Sequence, residues 1–277
     1  GAPGGLCVSA DGTALYVTIE APEGALLVVN RADGAIRARV PMGHAPVAPV
    51  ASADGKFVYV CNRFDNQVAV IDAAANAEVA RVSVNREPVA AALTPDGKWL
   101  CVANHLPAGA SDGDYVSSCV SMIDTAARSV AATIVLPNGS TGLRGMAMSP
   151  DGAYAYVTHI LGRYQLPTTQ LERGWMNTNA LSIIDVAGQK LLNTVLLDDV
   201  DLGAANPWGA QVSADGAYLC ICHAGTQEIS VIDRAALHDK LARVAAGEPV
   251  SEVSRTSEDV PNDLAFLVGM RRRIKLT

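Results

Sequence analysis

A chain of 277 residues that is 49% hydrophobic but only 5% aromatic can bury a sizeable core made mostly of aliphatic side chains. Its formal net charge of −7 argues against the broad basic footprint of a nucleic-acid binder, and no apolar run reaches the length of a membrane span. The six cysteines (Cys7, Cys61, Cys101, Cys119, Cys220 and Cys222) show no two-residue CxxC spacing, so they read as buried free thiols serving as small hydrophobes. The segment Cys220-Ile221-Cys222-His223 has one residue between its cysteines where a haem-attachment motif needs two. Gly1-Ala2-Pro3-Gly4-Gly5 leads straight into strand-like sequence, as in a mature or trimmed chain without a secretory signal.

The chain then repeats itself five times. The first repeat (about 1–42) turns at Ser9 to Gly12, runs through Leu15-Tyr16-Val17-Thr18 and closes a third run on Val28-Val29-Asn30. The second (43–85) turns at Ser52 to Gly55, then carries Val58 to Asn62, Val70-Ile71-Asp72 and a fourth run, Glu78 to Val82. The third (86–137) turns at Thr94 to Gly97 and carries Leu100 to Asn104 and Met122-Ile123-Asp124. The fourth (138–198) turns at Ser149 to Gly152 and carries Tyr156 to His159, Ile183-Ile184-Asp185 and Lys190 to Val195. The fifth (199–277) turns at Ser213 to Gly216 and carries Leu219 to His223 and Val231-Ile232-Asp233. A helix-like stretch, Ala235 to Ala246, and a polar segment from Glu248 then delay its fourth strand to Arg272 to Leu276.

Asp-Gly supplies the positive φ of a tight hairpin, and the β-branched runs suit a pleated, half-buried surface. Each repeat is therefore a four-stranded antiparallel meander, strands a to d. One such sheet cannot bury both faces, but radial stacking of neighbours does. The predicted fold is all-β: a β-propeller of five four-stranded antiparallel blades in a single domain, 1–277. Asp11, Asp54 and Asp96 lie 43 and 42 residues apart, and the next two spacings grow to 55 and 64. The extra length falls in two b–c loops, His105 to Ser118 and Ile160 to Ala180. Most propellers of this repeat class have more blades than five. The outer faces of the first and fifth sheets are thus expected in an open arc, or covered by contacts between chains.

Connectivity puts the a–b and c–d turns on one side of the sheets and the b–c loops and d–a links on the other, here called the top. Variable loops on a rigid scaffold carry function, which points to the top. His44, His105, His159 and His223 map there, as do Arg63 and Arg86, and Asn62 and Asn104 fill the b-strand slot that His159 and His223 fill in their own repeats. The candidate binding residues are Arg144, His159, Arg163, Gln170, Arg173, Trp175, Asn177, Asn179, Trp208 and His223. The loop from Ile160 to Ala180 is expected to be ordered and to line the main pocket with Arg144, His159 and His223. Two readings of these residues stand side by side. In one, Asn and His bond to loop backbone and hold the hairpins. In the other, Arg and Trp bind an anionic or sugar-like ligand or a partner protein. A metal shared by the histidines is disfavoured, because adjacent blades diverge. Asp198-Asp199-Val200-Asp201 and Asp112-Gly113-Asp114 lack the spaced oxygen pattern of a dedicated calcium loop and read as solvated turns. Arg271-Arg272-Arg273 reads as a solvated edge.

The Tyr-Val-Thr/Cys-Asn strand, the Ser-x-Asp-Gly turn and the Val-Ile-Asp cap resemble the YVTN-type β-propeller repeats of bacteria and archaea, over nearly the whole chain. More narrowly, His159 to Gln170, Arg173 to Ala180 and Asn206-Pro207-Trp208-Gly209 resemble secreted bacterial propellers that precede a cytochrome c-type haem domain. That resemblance implies a longer parent with more blades, a haem in a partner domain and a periplasmic, cell-surface or secreted location. It leaves this chain with no cofactor of its own, calcium apart.

No nucleophile elbow, phosphate-cradling loop or carboxylate pair suggests catalysis. The first expectation is a non-catalytic binding module for a ligand or partner protein outside the cytoplasm. The rivals are an enzyme or redox accessory using His159, Arg163 and His223 beside a haem-containing partner domain, and a purely structural surface repeat. Self-association through open blade faces belongs to the same expectation.

Overall fold

The computed structural model describes residues 1–164 and 176–276. These fall into two compact units, one of residues 1–108 and 119–134, the other of residues 109–118 and 135–277. The first unit holds three four-stranded antiparallel sheets in strand order. They are β1 (Ala2–Val8), β2 (Ala14–Glu20), β3 (Ala25–Asn30) and β4 (Ile36–Pro41); β5 (Pro46–Ala51), β6 (Phe57–Asn62), β7 (Gln67–Asp72) and β8 (Ala77–Ser83); and β9 (Pro88–Leu93), β10 (Trp99–Asn104), β11 (Cys119–Asp124) and β12 (Ser129–Val135). The second unit holds two sheets. One contains β13 (Ser140–Thr141), β14 (Met146–Met148), β15 (Tyr154–Gly162), β16 (Asn177–Asp185) and β17 (Lys190–Leu196). The other contains β18 (Pro207–Val212), β19 (Tyr218–His223), β20 (Glu228–Asp233) and β21 (Arg271–Lys275).

The repeated turn works through its hydroxyl as much as its glycine. Ser9 Oγ donates to Asp11 Oδ1 at 2.6 Å and accepts the Ala14 N–H at 2.9 Å, while Gly12 takes a φ of 71°. The other four turns repeat these bonds around Asp54, Asp96, Asp151 and Asp215. The serine hydroxyl, then backbone N–H groups, hold the Asp11 and Asp54 carboxyls down to about 2. The Asp of the Val-Ile-Asp cap accepts backbone N–H groups of the c–d turn, as Asp72 does from Ala74 and Ala75 and Asp124 from Ala126 and Ala127. In the fifth sheet the same position, Asp233, accepts the Ala236 N–H at 2.9 Å and becomes the N-cap of helix α1 (Arg234–Ala245).

Packing is face to face. In the first unit Tyr16, Leu26 and Val28 lie against Val58, Val60 and Ile71 of the next sheet. That sheet's other face, Tyr59, Cys61, Val68 and Val70, lies against Leu100, Val102 and Ile123. In the second unit Leu237, Leu241 and Val244 of α1 join Phe266, Leu267, Tyr156 and Ile183 in one core. The segment after α1 runs along β17. Asn193 Nδ2 donates to the Ser257 carbonyl at 3.0 Å, and Leu264 packs on Leu161 and Leu196. An edge strand is thus covered by chain from the following repeat.

Three sequence readings change. The b–c loop of the fourth repeat is partly strand, because β15 and β16 stay paired as far as Gly162 and Asn177. The cysteines are not all buried: Cys7 and Cys220 are half-buried and Cys222 is exposed. The run Arg271–Arg273 is not a solvated edge, since the Arg271 and Arg273 side chains are 4% and 11% exposed. Replacing Asp233 by Ala removes the α1 cap and is expected to cost about 1 kcal/mol, read as a lower urea midpoint with unchanged m-value.

Candidate functional site

From the second sheet onward the top side is built on Asn62, Asn104, His159 and His223, which end their b strands except in the fourth sheet, where β15 runs on to Gly162; all four are buried. At such depth a polar side chain needs a partner. In three sheets the partner is a serine of the neighbouring c strand. Asn104 Nδ2 donates to Ser121 Oγ at 3.0 Å; His159 Nε2 lies 2.8 Å from Ser182 Oγ; His223 Nε2 lies 2.8 Å from Ser230 Oγ. Nδ1 of each imidazole faces a carbonyl oxygen, Ile160 at 3.1 Å and Ala204 at 3.0 Å. A carbonyl only accepts, so Nδ1 carries the proton and Nε2 accepts from the serine. Burial keeps both rings neutral, pushing His159 down to about 4 and His223 in the same direction. Both nitrogens of both rings are therefore committed within the fold, and neither ring is free to act as a base or metal ligand.

The second sheet breaks the rule. Its serine position is Ala69, since Val60 pairs with Ala69 as Ile221 pairs with Ser230. Asn62 Oδ1 and Nδ2 are buried without a partner, as is Oε1 of Gln67, directly opposite in the ladder. Ala69→Ser should restore the missing bond and stabilise the chain by about 1 kcal/mol, whereas Ser182→Ala should cost about 1–3 kcal/mol by stranding Thr194 and His159. Paired urea titrations check both signs.

A second repeated device sits beside this slot. Strands β5, β9 and β18 each begin at a proline preceded by a residue at positive φ: Ala45 at 51°, Glu87 at 57° and Asn206 at 55°. The carbonyl of that residue accepts the N–H just after the b strand, from Arg63, His105 and Ala224 respectively.

The remaining candidates scatter. Arg163 donates to Asn262 Oδ1 at 2.6 Å and to the Pro261 carbonyl at 2.9 Å, clasping the segment that covers β17. Asn179 binds the buried Asp198 through Nδ2 at 2.8 Å and accepts the Asn206 N–H at 3.0 Å, so it fastens a link. Asn177 is exposed where β16 begins. Gln170, Arg173 and Trp175 lie outside the described residues. Arg144 and Trp208 do come together. The guanidinium stands 4.0 Å from the centroid of the indole, which is 52% exposed. Gly145 permits this approach, because a Cβ there would meet the Trp208 carbonyl at 2.0 Å. Beside Trp208 a pocket of about 500 Å³ opens, lined by Cys222, His223, Ala224, Gln227, Glu228 and Leu276.

Sequence reasoning missed two features. One is a groove of about 560 Å³ on the turn side of the first two sheets, lined by Asp11, Tyr16, Arg37, Asp54 and Asn76. The other is an ion-pair knot. Arg271 pairs with Asp199, and Arg273 with Asp199 and Glu228. Arg273 also donates to the carbonyls of Leu202 (2.9 Å) and Gly203 (2.6 Å). Burial opposes the charge on Glu228, but the bond and charge of Arg273 outweigh it and hold the carboxyl below its ordinary value. Asp198 and Asp199 are thus spoken for by protein donors, and among the described residues no group of three or more His, Cys, Asp or Glu gathers to hold a metal.

The neutral histidine has a pH signature. An unfolded His159 takes up a proton near 6.5, while the folded ring refuses it until about 4. Stability is intact above that window and falls as pH drops through it, by about 3 kcal/mol at pH 4 from this residue. His159→Asn, the solution used by Asn104, should flatten the difference between urea midpoints at pH 7 and pH 4.

A family model described as the Cytochrome D1 heme domain matches residues 10–134, under half of the chain. The hydrazine synthase subunit beta of Kuenenia stuttgartiensis is 27% identical over 154 residues, 56% of this chain and 39% of that protein, so the match spans about two-fifths of the relative's length. Among solved structures, Kuenenia stuttgartiensis hydrazine synthase aligns with a TM-score of 0.64 at 24% identity, over 99% of this chain and 86% of that one. The Cps50 (Swd1) β-propeller domain of Myceliophteria thermophila aligns with a TM-score of 0.58 at 12% identity, over 82% and 64% of the two chains. The fold is therefore all-β, of the β-propeller type.

A haem does not fit the groove in the matched stretch. The groove there is lined by no His, Cys or Met that could ligate iron axially. The His44 ring packs on Phe64 at 4.9 Å, and burial pushes the Cys61 and Cys101 thiols up to about 12.

Proposed function

We propose that this chain is a non-catalytic propeller module that seats a partner protein, outside the cytoplasm, through Arg144, Trp208 and the pocket beside them. One observation carries the reading: a half-exposed indole held under a guanidinium at the mouth of a 500 Å³ pocket. Trp and Arg dominate the binding energy of protein interfaces, and desolvation by a partner strengthens their cation–π contact. The similarity to a protein named as a subunit agrees with a partner-binding role. Catalysis by the top-side imidazoles is disfavoured, because His159 and His223 are neutral and fully bonded.

The match to the Cytochrome D1 heme domain favours a second reading, a redox accessory. In it the haem sits in the partner, since the groove of the matched stretch offers it no axial ligand. The test is capture of a partner from the source organism's extract, followed by titration against purified variants. Trp208→Ala and Arg144→Ala should each weaken binding about tenfold or more, ~1.4 kcal/mol, with thermal melting unchanged. Unchanged affinity in both variants overturns the site. A Soret band in the captured partner selects the second reading.

A further inference from the structure

The groove between the first two sheets has two counterparts in the chain, at the junctions of the second and third sheets and of the fourth and fifth. Each of the three carries the aspartate of a repeated turn and, five residues on, a tyrosine of the b strand: Asp11 and Tyr16, Asp54 and Tyr59, Asp151 and Tyr156. All three tyrosines are buried, Tyr16 at 7% exposure. A buried phenol needs a partner for its hydroxyl.

In two junctions the next sheet supplies both the partner and a cation from its c–d turn. Thr125 is hydrogen-bonded to the Tyr59 hydroxyl, and Arg128 of the same turn stands 5.6 Å from the Phe57 ring, its charge opposing that of Asp54 at Tyr59. At the fourth and fifth sheets Arg234 lies 3.9 Å from Asp151 and is hydrogen-bonded to the Tyr156 hydroxyl, which also meets His238 Nε2 at 2.7 Å. The first junction lacks both. Asp72 and Asp124 cap their turns alike, so Ala73 stands where the third sheet has Thr125 and the fifth has Arg234. Asn76, at a φ of 51°, stands where Arg128 has 53°. These small side chains leave the groove of about 560 Å³. Tyr16 lines it, and among the described residues its hydroxyl makes no hydrogen bond, although the Asp11 charge acts on it. Asp54 is paired with Lys56 at 3.0 Å, but Asp11 has only hydroxyl and backbone N–H partners and, among the described residues, no ion pair.

We infer that the groove between the first two sheets is a binding site for a guanidinium group, held by the Asp11 carboxylate and the Tyr16 hydroxyl where the chain's own arginines stand in the other two junctions. The chemistry suits both acceptors. A guanidinium presents several N–H donors in one rigid fork, so it can reach a carboxylate and a phenol oxygen together. Asp11 stays ionised at any working pH, because the Ser9 hydroxyl and the Thr13 N–H hold its carboxyl down to about 2. The groove's volume lies in the range of small-molecule sites. Arg37 also lines it, but an anion drawn to Arg37 would meet the carboxylates of Asp11 and Asp54. The groove shares no residue with the Trp208 pocket, and neither reading depends on the other.

The test is a titration of the intact chain, followed through the amide resonances of Gly12 and Gly55. Agmatine serves as a free guanidinium, and N-acetyl-arginine methylamide as the same group on a peptide. At least one should give saturable shifts with a Kd of about 1 mM or below. Binding of agmatine identifies a free small cation as the ligand, and binding of the peptide analogue alone identifies a protein side chain. The citrulline counterpart keeps the shape without the charge and should bind about tenfold more weakly or worse. Tyr16→Phe removes one acceptor and should weaken binding about fivefold, with the melting temperature retained. Asn76→Arg refills the groove as Arg128 does in the next junction, at a φ that an arginine already adopts there, and should abolish binding. No saturable shift from either cation up to ~20 mM overturns the inference. So does citrulline bound as tightly as arginine, or an affinity unchanged in Tyr16→Phe and Asn76→Arg alike.

Discussion

A four-stranded meander has two faces to bury and no core of its own, and the other features of this structure answer to that constraint. The second sheet meets it twice, with Val58, Val60 and Ile71 against the first sheet and Tyr59, Cys61 and Val70 against the third. Burying both faces drives the ends of the b strands inward along with the aliphatics. A polar residue there has no water to turn to. The Asn–Ser and His–Ser pairs are the chain's response, and they work only in the correct ladder register. A one-residue slip would bring the serine to the opposite face. These buried pairs therefore specify the strand alignment of the third, fourth and fifth sheets, beyond the stability they contribute.

The five turns and the strands after them were legible in the sequence because their chemistry is local. Ser9, Asp11 and Gly12 satisfy one another within a few residues, and period-2 alternation does the rest. The helix after Asp233 was legible for the same reason. The histidine slot was half legible. Repeat alignment placed His159 and His223 beside Asn62 and Asn104, but the serines that absorb them lie on another strand and appear only once register is known. Arg163 misled because its partners, Pro261 and Asn262, are nearly a hundred residues away. Arg271 and Arg273 misled similarly. Three adjacent arginines look solvated until the chain brings Asp199 and Glu228 to two of them. Trp208 and Arg144 were picked out as residue types suited to recognition, and their contact depends on Gly145, which no composition argument singles out.

Counting donors on the top side overstates the chemistry available there. Once the imidazoles, Asn179 and Arg163 are assigned to internal bonds, the described residues around the Trp208 pocket present an indole under the Arg144 guanidinium, the Cys222 thiol and the Leu276 side chain. Such a surface recognises shape and apolar area, and its character hardly changes across neutral pH, because the titrating groups beside it are locked. His223 is neutral and Glu228 is held ionised by Arg273.

That arrangement also explains where the charges of the last strand go. β21 is the edge of the fifth sheet, and its side chains alternate between the two faces. Arg271 and Arg273 turn to one side, toward Asp199, Glu228 and the carbonyls of Leu202 and Gly203. Arg272 and Ile274 take the other, paired with Val231 and Ile229. The knot thus braces the sheet from one face. Desolvating two arginines for an edge strand is costly if stability is the only gain, and a hydrophobic replacement would often serve as well. It makes better sense as a way to hold the edge strand β21 in register on β20, where Glu228 lies opposite Lys275 and Ser230 opposite Arg273.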